Sequence, residues 1–142
     1  MVQRRELEYA YAAHWFQVPA YIRVDFDQDV NWLFLYGEQD DNYDHFGDGT
    51  IRTLFTPGRS PGHTSLVRTL DETAPMMLTA DACYTMNHYK NEALQGLLHS
   101  TADCADLVQK IQRAVDAFET MLVSGHAPDE WPNFKKAPEY YS

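Results

Sequence analysis

Residues 56 to 62 read Thr-Pro-Gly-Arg-Ser-Pro-Gly, two Pro-Gly pairs within seven positions. Each proline removes a backbone donor and fixes its own φ, and each glycine loosens the chain beside it. Neither a helix nor a central strand survives that pattern, so the segment is a tight loop. The apolar runs on either side, Thr50–Phe55 and Thr64–Thr69, then read as strands that the loop joins. Met76–Thr79 is a further short buried strand. Consecutive strands with short connections predict antiparallel pairing.

The clearest helix is Thr101–Thr120. Leu107, Val108, Ile111, Ala114, Val115, Phe118 and Leu122 recur at helical spacing, with charged and amide side chains between them. Thr101 is the expected N-cap, with Asp103 and Asp106 at the positive end of the dipole. Met121–Ser124 reads as a strand running into Gly125-His126. Upstream, Arg4–Tyr11 has mild helical character, Ala13–Asp29 is an aromatic loop or short helix, and Asn31–Tyr36 reads as a strand. Gly37–Asp48 is turn-rich. The tail after His126 is a proline-rich surface loop. Strands followed by a long helix and a last strand predict one α/β layered domain.

Charge excludes some partners. Eleven Lys and Arg face 21 Asp and Glu, a net charge of −10. Such a chain repels nucleic acid and anionic membrane surfaces. There is no apolar run long enough for a membrane span and no apolar signal core near Met1. A cytoplasmic location is the expectation, with Cys83 and Cys104 as buried or free thiols.

Three polar residues sit where strands meet loops. His63 opens a strand after the Pro-Gly loop, Asp81 follows Met76–Thr79, and His126 follows Met121–Ser124. Strand ends hold projecting side chains rigidly, and two imidazoles with a carboxylate suit zinc, iron or manganese. Their spacing alone leaves a surface or turn role open for each.

Order and context add to this. TPGRSPGHTS, then LTADACYT, then a helix, then SGH resembles the second half of the metallo-β-lactamase superfamily. The Asp81–Tyr84 spacing, the aromatic HWFQVPAY segment and the tail after His126 look like its N-acyl-homoserine lactonases. The resemblance implies the C-terminal half of an αβ/βα sandwich, an antiparallel-rich sheet covered by one long helix. Residues 1–142 would be a single partial domain, without the N-terminal half that carries HxHxDH. By the same resemblance His63 and His126 would each be a terminal ligand of a different divalent metal, zinc first, then iron, cobalt or manganese. Asp81 would bridge the two. Tyr84 would hydrogen-bond the substrate carbonyl or the leaving oxygen, so Asp81 and Tyr84 are the expected catalytic pair. The implied partner is a small-molecule acyl-homoserine lactone, opened by a metal-activated hydroxide.

The family's first PGH histidine is Arg59 here, and Ala127 replaces the aspartate often found after the last ligand. The only candidate for part of HxHxDH, Asp44-His45, has no HxH before it and lies just ahead of the strand leading into the Pro-Gly loop, so His45 is expected as a solvent-exposed turn residue. The chain alone is therefore expected to bind metal weakly, to have little activity, and to associate with a second copy or a complementing N-terminal half. Met76, Met77, Met86 and His14–Tyr21 are candidates for an acyl-chain pocket, with core packing the alternative. A glyoxalase-II-like thioesterase and a non-catalytic α/β module are the other readings, the first disfavoured by Tyr84.

Overall fold

A computed structural model describes residues 1–13, 20–91, 93–94 and 96–142. Of the proposed acyl-pocket segment, residues 14–19 lie outside the described part.

The elements run β1 (Val2–Gln3), α1 (Arg4–Tyr11), α2 (Arg23–Phe26), β2 (Phe34–Leu35), β3 (Tyr43–Asp44), β4 (Ile51–Phe55), β5 (Thr64–Arg68), β6 (Met76–Ala80), α3 (Met86–Asn91), α4 (Thr101–Phe118) and β7 (Met121–Ser124). The main sheet has five strands in the order β3-β4-β5-β6-β7. Its first three pairings are antiparallel and β6 pairs with β7 in parallel. That change follows from the connection. β5 and β6 are joined by a short loop, whereas β6 reaches β7 through α3 and α4, the long crossover a parallel pair needs.

Registry sorts the sheet into two faces. Leu54, Val67, Met77 and Leu122 fall on one side, and all four pack with the buried Leu107 and Ile111 of α4. This is the expected layer of sheet and long helix. Leu66, Leu78 and Val123 share the opposite side, where Leu78 is 41% exposed. Ala82 and Cys83, just beyond β6, complete the core under α4. Met77 is 1% exposed within this core, so of the two roles considered for it, core packing is the one observed.

Several expectations shift at their edges. The strand expected at Asn31–Tyr36 is only Phe34–Leu35, because its partner β1 is two residues long and the pair forms a separate parallel ribbon. Ser100, not Thr101, caps α4. Its side chain accepts from Asp103 N at 3.2 Å, because Ser100 has the extended backbone a cap requires. The helix stops at Phe118, where Glu119 turns left-handed. His45 is half-buried rather than solvent-exposed: its ring stands edge-on to Tyr43 at 5.7 Å and its Nε2 is enclosed.

Both cysteines are free and buried. Burial pushes the Cys83 thiol up to about 11, and raises that of Cys104 as well. At pH 8 only about one Cys83 in a thousand is then a thiolate. Neither cysteine should react with an aromatic disulfide reagent within minutes in the native chain, and both should react at once in denaturant. Prompt native labelling of Cys83 would contradict this packing.

Candidate functional site

The Pro-Gly loop is pressed between two helices. Gly58 O accepts from His99 N at 2.7 Å and Ser100 N at 3.2 Å, which ties the loop to the start of α4. On its other side Gly62 N donates to Glu6 Oε2 of α1 at 2.7 Å, and Tyr21 Oη donates to Glu6 Oε1 at 2.8 Å. A Cβ on Gly62 would fall 2.4 Å from Glu6 Cβ and 2.8 Å from Glu6 N, so only glycine permits this approach. The loop thus enters β5 at a fixed position, and His63 with it.

His63 is set further by a buried row of hydroxyls. Thr56 Oγ1 lies 2.9 Å from His63 Nδ1 and 3.1 Å from Ser65 Oγ, and Ser65 Oγ donates to Thr79 O at 3.4 Å. Each hydroxyl has one proton to give. Ser65 gives its proton to Thr79 O, Thr56 gives its own to Ser65, and Nδ1 must then donate to Thr56. The lone pair of His63 is left on Nε2. Burial holds the imidazole below its usual range, and the nearby Asp81 and Glu6 carboxylates only partly offset that. His63 is a neutral ring whose lone pair sits on Nε2, the form a metal ligand or general base requires.

At the far end of the sheet, β6 and β7 finish side by side. Gly125 N donates to Cys83 O at 3.2 Å and His126 N to Tyr84 O at 2.8 Å, so the loop after β6 is laced to the loop after β7. Ala80, immediately before Asp81, has φ of 48°, a strained backbone for a residue with a Cβ. Gly125 lies against it so closely that a Cβ would fall 2.4 Å from Ala80 O.

These contacts bring the side chains together. His126 Nε2 lies 3.0 Å from Asp81 Oδ1, and Arg59 Nε lies 3.3 Å from Asp81 Oδ2. Arg59 Nε also donates to Tyr84 Oη at 3.1 Å. The Tyr84 ring stands edge-on to His126 at 4.5 Å and to His88 at 5.8 Å. Thus the expected residues Asp81, Tyr84 and His126 form one cluster, and Arg59 joins it to the loop that carries His63. His126 opens onto a broad depression of about 520 Å³ bounded by Pro128 and Trp131. The apolar cavity of about 230 Å³ between Leu54, Val67, Met77 and Ala114 belongs to the core side and holds none of these residues.

Arg59, Thr56, Ser65 and His88 were not among the residues singled out from sequence. The TPGRSPG segment contains the signal for Arg59, which reads there only as a departure from a histidine. Nothing in local spacing marks the hydroxyls, because strand pairing brings them together.

The donor types suit a divalent metal, but their arrangement does not fit one as folded. Among the described residues no three His, Cys, Asp or Glu side chains converge on a point. Both Asp81 oxygens are engaged, one by a guanidinium. Asp81 needs a donor at Oδ1, so His126 Nε2 carries a proton where coordination needs a lone pair. Only His63 is prepared.

The comparisons agree with the architecture. Over 99% of its length the chain superimposes on 51% of a mutant of AiiA from B. thuringiensis with N-decanoyl-L-homoserine bound at its active site, with a TM-score of 0.81 and 24% identity. It also matches AidC, described as a dizinc quorum-quenching lactonase, with a TM-score of 0.65 and 15% identity over 99% of this chain and 53% of that one. The chain therefore has part of the metallo-β-lactamase-like fold of these hydrolases. More particularly, it resembles N-acyl homoserine lactonases in sequence from end to end. It is 50% identical to N-acyl homoserine lactonase AttM of Rhizobium radiobacter over 100% of this chain and 54% of that protein. The AttM of Agrobacterium fabrum is 49% identical over the same shares. The chain spans about half the length of the curated relatives it matches. No family model matches the chain.

Proposed function

We propose that this chain is the C-terminal portion of an N-acyl homoserine lactonase and supplies one side of its site. The observation that carries the reading is the meeting of Asp81, Tyr84 and His126 at the paired ends of β6 and β7, in a chain that resembles AttM throughout. Tyr84 Oη accepts from Arg59, and its own proton remains free to donate to a lactone carbonyl or to the oxygen released on ring opening. His63, Asp81 and His126 are the residues this reading assigns to two divalent cations in the whole protein. As folded in this chain they do not fit a metal, so the activity belongs to the chain joined to the remainder of the domain. The expected partners are an acyl-homoserine lactone and a complementing N-terminal segment.

The test supplies that segment. The part of AttM not matched by this chain is fused ahead of Met1, and ring opening of a short acyl-homoserine lactone is followed by acid release. The fusion should hydrolyse the lactone and the 142-residue chain alone should not. Tyr84→Phe in the fusion should lower kcat about a hundredfold or more, the scale of losing one donor to a developing oxyanion. A fusion that folds but opens no lactone, or that prefers a thioester, would sink the reading.

A further inference from the structure

Asp81 is the residue on which the proposed site turns, and in this chain it already holds a cation. Arg59 Nε lies 3.3 Å from Oδ2 while His126 Nε2 holds Oδ1. The same Nε–H is shared with Tyr84 Oη at 3.1 Å, so one guanidinium sits between the carboxylate and the phenol. The Arg59 side chain is 29% exposed, and its loop is clamped to α1 and to the start of α4 through Gly62 and Gly58. It is a fixed charge rather than a waving surface arginine.

We propose that Arg59 is a resident cation that competes with divalent metal for Asp81, and that it sets how tightly this site takes metal. The inference rests on the reading of Asp81 as a metal ligand. A metal–carboxylate bond needs roughly 2.1 Å, well inside the space where the guanidinium now stands. Arginine cannot relieve the conflict by losing a proton, because its charge persists at any ordinary pH. A dication arriving at Asp81 would meet a neutralised carboxylate and a like charge a few ångströms away.

The experiment measures zinc binding to the 142-residue chain by calorimetry, beside Arg59→Met, Arg59→Lys and the Arg59→Met/Asp81→Asn pair. Arg59→Met keeps most of the side chain's length and removes its charge. It should bind zinc at least tenfold more tightly than the parent. Arg59→Lys, which keeps the charge, should stay near the parent, and Asp81→Asn should abolish the gain. Circular dichroism checks that each variant is folded. Equal, tight zinc binding by parent and Arg59→Met would overturn the competition and leave the metal reading standing. A gain that survives Asp81→Asn would also overturn it. No zinc binding by any folded variant would also overturn the competition, and the metal content of the fusion would then decide the metal reading.

Discussion

Gly125→Ala should lower the stability of this chain by about 2 kcal/mol, within the range for forcing extra carbon into a packed site. The added Cβ would fall 2.4 Å from Ala80 O and 2.8 Å from Ala80 C, both backbone atoms that no rotamer change can move. The strands must part where β6 and β7 end. Asp81 follows Ala80 and His126 follows Gly125, so the clash acts directly on the 3.0 Å contact between them. Urea unfolding should show a lower midpoint, and the His126 ring signals should move as their carboxylate partner withdraws. Gly96→Ala is the control, because a Cβ there meets nothing within 4 Å. It should change stability by less than about 0.5 kcal/mol. If the two variants melt alike, the close approach of Gly125 to Ala80 is not real.

Legibility in the sequence followed the reach of each signal. The α4 stripe and the strands β4 to β7 were readable because their patterns are local, and their ends moved by only a residue or two. The Pro-Gly loop was readable for the same reason. β1 was not, and β2 was readable only within the longer run Asn31–Tyr36, since each is two residues long and exists only through a partner distant in sequence. For the site, the position of Asp81 and His126 at strand ends was visible, but their adjacency was not. It depends on β6 pairing with β7 across two intervening helices. The Thr56–Ser65 row needs β4 and β5 in register, and the role of Arg59 needs the loop to fold over the end of β6. Resemblance supplied names for His63, Asp81, Tyr84 and His126. It treated Arg59 as a missing histidine, whereas the structure places a working charge there.

Ile111→Ala should have the larger effect on the whole fold, a loss of about 3 kcal/mol. Ile111 is 1% exposed and packs with Met77, Ala82, Cys83 and Leu107. Truncation removes the transfer free energy of three carbons and leaves a cavity that a helix pinned at Ser100 and Glu119 closes poorly. Against a total of roughly 5 to 15 kcal/mol for an ordinary domain, that is a large share. The location gives the substitution a second signature. Ala82 and Cys83 form the stretch between Asp81 and Tyr84, so the core under α4 supports the site loop from behind. A cavity at Ile111 should admit solvent to Cys83, whose thiol is held up near 11 by burial. Labelling of Cys83 should then become measurable under native conditions, while the deeper change appears in the urea midpoint. Ile111→Val, losing a single carbon, should cost about 1 kcal/mol and leave Cys83 silent. An Ile111→Ala chain that loses stability with Cys83 still unreactive would show that the site loop stands on its strand ends alone, without the helix beneath it.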